Sequence, residues 1–207
     1  MSDLDLRTGD ALVIVDVQND FVTGSLAVPG APAVMGPLSR AVDAFIERRL
    51  PIAATRDWHP ADHASFRAQG GPWPPHCVAG TRGADYAPEL ELPAGTVHIH
   101  KATTAGVDAY SGFQGTTLAS DLRECGVARL FVGGLATDYC VLNTVRDAIE
   151  QGFQVVVLAD AIRAVNVRPG DGVRAEASMR DTGARFATVA DVLRADEGPL
   201  PAAGEEP

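Results

Sequence analysis

The sequence predicts an α/β doubly wound domain: a mostly parallel six-stranded sheet with helices on both faces, folded as a single domain. Two observations carry this. Short β-branched runs alternate along the chain with stretches of helical apolar spacing, the pattern of repeated strand–helix units. The runs are also apolar nearly throughout, as strands buried on both faces are, rather than alternating as half-exposed strands do. A chain of 207 residues is long enough for one sizeable core and leaves little room for a second.

Taken in order, the strands are 11–17 (ALVIVDV), 51–55 (PIAAT), 96–100 (TVHIH), 129–133 (RLFVG) and 154–159 (QVVVLA), with a weaker sixth at 184–188. Helical spacing of Ala, Leu, Val and Ile marks 37–49, 115–124, 138–151, 172–182 and 189–194. Gly126 and Gly152 follow two of these where a helix stop belongs. The domain is expected to occupy residues 1–195. The stretch 196–207, rich in Glu, Pro, Ala and Gly, is expected to be disordered.

A net charge of −10 argues against nucleic acid and anionic membrane as partners. No apolar run approaches the roughly 20 residues needed to span a bilayer. The start, Met1-Ser2-Asp3-Leu4-Asp5-Leu6, lacks the basic-then-apolar pattern of a signal peptide. Cys77, Cys125 and Cys140, the three cysteines, are odd in number and widely spaced, unlike a disulfide framework. A cytoplasmic protein with reduced thiols is expected, with monomer and homo-oligomer both open.

Segment 57–92 breaks the alternation with many prolines and glycines, both tryptophans and three of the five histidines. Long irregular connections in compact domains tend to be functional. Ligands of open α/β sheets bind beyond the C-terminal strand ends, and Asp16, Asp57, Lys101 and Cys140 all fall at or just past such ends. Cys140 stands where a strand and Gly133-Gly134 give way to a helix start. There the helix dipole favours thiolate and free N–H groups can hold an oxyanion. A carboxylate beside a thiol can take its proton, and an ammonium can stabilise both anions. Asp57 and His59, two apart at a strand end, point the same way if the backbone is extended; with a distant His they would give one hard oxygen and two imidazoles. Cys77 and Cys125 read as packing residues, and His98 and His100 as satisfied histidines on a buried strand.

Asp16-Val17-Gln18-Asn19-Asp20-Phe21, Lys101 and Gly134-Leu135-Ala136-Thr137-Asp138-Tyr139-Cys140-Val141 resemble the three catalytic blocks of the isochorismatase-like cysteine hydrolases. Thr55-Arg56-Asp57-Trp58-His59-Pro60, His63-Ala64-Ser65-Phe66, Trp73-Pro74-Pro75-His76-Cys77-Val78-Ala79-Gly80-Thr81 and Asp108-Ala109-Tyr110-Ser111-Gly112-Phe113 are similar to the nicotinamidase (pyrazinamidase) branch. The resemblance runs from about residue 11 to 186 with its blocks in order. It implies the isochorismatase-like hydrolase fold and hydrolysis of nicotinamide to nicotinate and ammonia through a cysteine thioester. Cys140 would be the nucleophile, Asp16 the general base and then acid, and Lys101 the residue that orients Asp16 and lowers the thiol pKa. A cis peptide at Leu135–Ala136 would turn the Ala136 N–H toward that of Cys140 to form an oxyanion hole. Asp57, His59 and His76 would hold one divalent metal, zinc foremost, with iron and manganese as alternatives. His63 is left open between an extra ligand and a support behind the ligands. Phe21, Trp73 and Tyr110 would line the substrate pocket.

Three rivals stand beside this reading. They are another amidohydrolase or isochorismatase-type hydrolase on the same scaffold, a catalytically silent binding module, and a metallohydrolase attacking through metal-bound water.

Overall fold

The computed structural model describes residues 4–196. The stretch expected to be disordered lies outside them, except that Asp196 closes the last helix. Six strands form one parallel sheet: β1 (Asp10–Val15), β2 (Ile52–Asp57), β3 (Val97–Lys101), β4 (Arg129–Leu135), β5 (Gln154–Arg163) and β6 (Arg185–Ala187). Their order across the sheet is β3-β2-β1-β4-β5-β6. The direction of winding reverses between β1 and β4, which opens a crevice at the C-terminal ends of those two strands.

The helices divide between the faces as the strand pleat demands. Leu12 and Ile14 of β1 and Phe131 of β4 point to the side of helices α2 (Met35–Glu47) and α6 (Val189–Asp196), where Leu38, Phe45 and Val192 are buried. Ala11, Val13 and Val15 point the other way. There they meet Leu118, Val145 and Met179 of α3 (Leu118–Glu124), α4 (Leu142–Glu150) and α5 (Asp171–Asp181). A short α1 (Asn19–Val22) follows β1 and has no marker in the periodicity. None of the helices among the described residues is long and apolar enough to cross a membrane.

Asp10 and Arg129 start the two central strands and pair through both guanidinium edges, Nε to Oδ1 at 2.8 Å and Nη2 to Oδ2 at 2.6 Å, with both residues buried. Removing one partner of such a pair leaves a charge without its counterion in a dry site. Asp10→Ala is therefore expected to cost about 3–5 kcal/mol, read as a lower urea midpoint at unchanged slope.

Two expectations need correction. His98 and His100 are exposed, because β3 is an edge strand and only its Ile99–Lys101 side is covered; His100 stacks on Trp58 at 4.9 Å. Cys125 is also exposed, since it caps α3 on the solvent side instead of filling the core.

Candidate active site

Asp16 sits one residue past β1, with φ +49°. Lys101 ends β3, Asp57 ends β2, and Cys140 lies in the π-helical turn Thr137–Val141 that joins β4 to α4. The sheet thus brings four strand ends, far apart in sequence, to one spot. Gly134 makes the close packing of β4 on β1 there: its φ is +121°, and a Cβ would lie 2.1 Å from the Val15 carbonyl oxygen. The peptide that follows, Leu135–Ala136, is cis.

The Lys101 ammonium is the centre of the cluster and is buried. It bonds to Asp57 Oδ1, lies 3.0 Å from Asp16 Oδ2 and 3.4 Å from Cys140 Sγ, and donates to the Ala109 carbonyl at 3.1 Å. Thr55 Oγ1 donates to Asp16 Oδ1 at 2.7 Å. Ligand atoms of Asp16, Asp57 and Cys140 lie within 4.8 Å of one another. Lys101 already supplies the cation among them.

Burial and electrostatics set the protonation states. Burial opposes the charge on Lys101, but the Asp16 and Asp57 carboxylates outweigh it and hold the ammonium well above the usual lysine range. Asp57 is likewise resisted by burial, yet Lys101 and His59 hold its carboxyl well below the usual range. For Asp16 burial wins over Lys101 and its pKa is raised. Cys140 departs from expectation. Burial, then Asp16 and Asp57, push its thiol well above the ordinary range despite Lys101. The resting thiol is therefore neutral, and a basic carboxylate stands beside it.

Asp57 also belongs to a second group: donor atoms of Asp57, His59 and His76 lie within 4.8 Å of one another, and all three residues are buried. Nδ1 of His76 sits 2.8 Å from the Pro74 carbonyl, and burial lowers the pKa of the ring. A neutral His76 that donates from Nδ1 keeps a lone pair on Nε2, the tautomer a metal ligand needs. Nδ1 of His59 is buried without a hydrogen-bond partner, and an orphaned polar atom of this kind calls for an ion or water. One carboxylate oxygen and two imidazoles fit a divalent transition metal with positions to spare. His63 stands apart from the three. Its Nδ1 pairs with Ser65 Oγ at 2.8 Å and its Nε2 with the Val107 carbonyl at 3.2 Å, while its ring packs 4.2 Å from His59. Both of its nitrogens are engaged in these bonds.

The two groups share one cavity with an empty volume of about 480 Å³, and Cys140, Asp57, His59 and His76 all open onto it. Phe21, Trp73 and Tyr110 line it. Trp73 Nε1 donates to Tyr110 Oη at 3.2 Å, and both rings touch that of Tyr139. Tyr139, Leu26, Val28 and Val165 also line the cavity and have no role in the sequence reading. Tyr139 was reachable as the neighbour of Cys140. Val165 carries no local signal, because it is brought in by Asp138, whose carboxylate accepts the N–H groups of Val165 and Asn166 at 2.8 Å each.

The model of the isochorismatase domain matches residues 10–192. The chain belongs to the isochorismatase family. Among family members, it is similar to a nicotinamidase of Escherichia coli, with 39% identity over 87% of this chain and 95% of that protein. The structure resembles the zinc complex of a pyrazinamidase from Pyrococcus horikoshii, with TM-score 0.84 and 43% identity over 87% of this chain and 99% of the other. It also resembles PnC1 from L. infantum in complex with nicotinate, at TM-score 0.84 and 36% identity, covering 90% and 96% of the two chains. This family membership accounts for the strand order, and with the nicotinamidase relative it marks the chain as an amidohydrolase.

Proposed function

We propose that this family member is a nicotinamidase, which hydrolyses nicotinamide and pyrazinamide to the acid and ammonia. The observation that carries the reading is one cavity onto which Cys140, backed by the buried Lys101 and Asp16, opens together with Asp57, His59 and His76. The nicotinamidase and nicotinate-bound relatives support the same substrate class.

In this scheme Asp16 accepts the Cys140 proton as sulfur attacks the amide carbon. The resulting oxyanion is held by the Ala136 and Cys140 N–H groups. Collapse breaks the C–N bond, and Asp16 returns the proton to the departing nitrogen, releasing ammonia. Asp16 then takes a proton from water, which attacks the thioester; the acid leaves and the thiol recovers its proton. Lys101 keeps Asp16 and Cys140 in register and balances the two carboxylates. A divalent ion, with zinc preferred over iron or manganese, would be held by Asp57, His59 and His76 and supply a Lewis-acid contact to a ring nitrogen. Phe21, Trp73 and Tyr110 flank the ring, and His63 steadies His59. Such an enzyme would act in the cytoplasm, returning the pyridine ring to cofactor synthesis, with small molecules as its partners.

Specificity tests the reading. Nicotinamide and benzamide have nearly the same shape, but only nicotinamide has the ring nitrogen. A site built for a polar contact discriminates by up to about 10⁴–10⁵, and water replacing the lost ligand softens this to at least about 10² in kcat/KM. Ammonia release should therefore favour nicotinamide by that factor, and a chelator should remove both activity and preference. Equal turnover of the two amides by metal-loaded enzyme would instead point to a generic amidohydrolase.

A further inference from the structure

The motif that supplies Asp16 also contains Gln18, Asn19 and Asp20, to which the catalytic scheme gives no task. Their side chains reach into the irregular segment. The main chain leaves the sheet at Asp16, whose N–H makes the last strand-like bond, to the Thr55 carbonyl at 3.2 Å. Two residues further along β2, opposite Asp57, the side chain of Gln18 takes over from the missing strand. Its Oε1 accepts the Asp57 N–H at 2.8 Å, and its Nε2 donates to the Asp57 carbonyl at 2.8 Å and to the Ala84 carbonyl at 2.9 Å. Gln18 is fully buried. Only a primary amide on a two-carbon stem both accepts and donates at this reach: glutamate cannot donate, and asparagine is one methylene short.

Asp20 does the corresponding work for the other arm of the segment. Its Oδ2 accepts the Cys77 N–H at 2.8 Å and its Oδ1 the Ser25 N–H at 3.2 Å. Cys77 has φ +46° and directly follows His76. Gly83 leaves room for the carboxylate, since a Cβ there would lie 2.1 Å from Asp20 Oδ2. Asn19 adds a bond from Nδ2 to the Arg82 carbonyl at 2.8 Å.

We propose that Gln18 and Asp20 are positioning residues for the metal-ligand set: Gln18 fixes Asp57 and Asp20 fixes His76, both from the turn that holds Asp16. The proposal rests on the metal-dependent reading above. It explains how two ligands from distant parts of the chain keep a set distance from the acid–base carboxylate. Outer partners of metal ligands typically contribute 10–100-fold in metal affinity.

The test uses the full chain and zinc, with affinity measured by competition against a chromophoric chelator and Cys140 probed by iodoacetamide. Gln18→Met and Asp20→Ala are expected to weaken zinc binding by about 10–100-fold and to raise KM for nicotinamide more than they lower kcat, with the alkylation rate unchanged. Asp20→Asn, whose amide oxygen still accepts from Cys77, should recover most of the affinity. Should Gln18→Met fail to fold, the Asp20 pair of variants decides. A lower Tm with wild-type zinc affinity would overturn the proposal and leave a structural role only, as would zinc affinity and thiol reactivity falling together. A wild-type chain that binds no zinc would sink the metal-dependent reading as well, which separates that failure from this one.

Discussion

Cys140→Ala is expected to stop ammonia release from nicotinamide, with kcat falling by at least about 10⁴-fold, as when a covalent nucleophile is removed from a cooperating set. Binding should survive, because the cavity walls and the Asp57–His59–His76 side do not depend on the sulfur. Nicotinamide protection of the variant in a thermal melt would register that. The control is Cys77→Ala. Cys77 is buried, its thiol is pushed well above the ordinary range by burial and then by neighbouring carboxylates, and it follows His76 on a tightly held turn. It does not line the cavity, so its loss should leave turnover largely intact. An active Cys140→Ala beside a dead Cys77→Ala would overturn the assignment of the nucleophile.

Asp16→Asn carries the second large effect. The amide keeps the shape and still accepts from Thr55, but it cannot take the thiol proton or return it to nitrogen. A drop of about 10²–10⁴ in kcat follows from losing a general acid–base. The pH profile makes the loss specific. Asp16 must be ionised to accept a proton, so activity declines on the acid side as it becomes protonated. Burial raises its pKa, so this limb lies above the ordinary carboxylate range. The residual activity of Asp16→Asn should lack that limb. A variant with full kcat, or one that keeps the same acid limb, would remove Asp16 from the proton path.

The strand ends were legible because parallel sheets announce themselves in apolar runs, and a charge closing such a run has few places to go. Asp16 and Lys101 stand out in this way, Cys140 by its place between a strand and a helix start, and Asp57 with His59 by the period of an extended chain. What stayed hidden depends on non-local facts. Apolar runs carry no strand order, so nothing marked β3 as an edge, and His98 and His100 were read as covered. The raised Cys140 thiol comes from burial together with Asp16 and Asp57, neither of which is near it in sequence; the helix start alone points the other way. Val165 reaches the cavity only through the carboxylate of Asp138, a tertiary contact without a periodic signature. Gln18 and Asp20 were visible as motif letters, but their partners belong to a segment whose path no pattern predicts.

The pairing of β1 with β4 has a consequence in time. The Asp10 and Arg129 that clamp these strands are 119 positions apart. At the usual pace of synthesis, about 5–20 residues per second, β1 leaves the ribosome roughly 6–24 seconds before its partner exists. During that interval one edge of a strand that is apolar from Ala11 to Val15 has no native neighbour, although β2 covers the other once it is made. An open strand edge of this kind is a template for pairing with another chain. The nascent protein is thus exposed to aggregation from the emergence of β1 until residue 129 follows. A ribosome-arrested chain ending short of β4 should bind a holdase chaperone that the finished domain ignores.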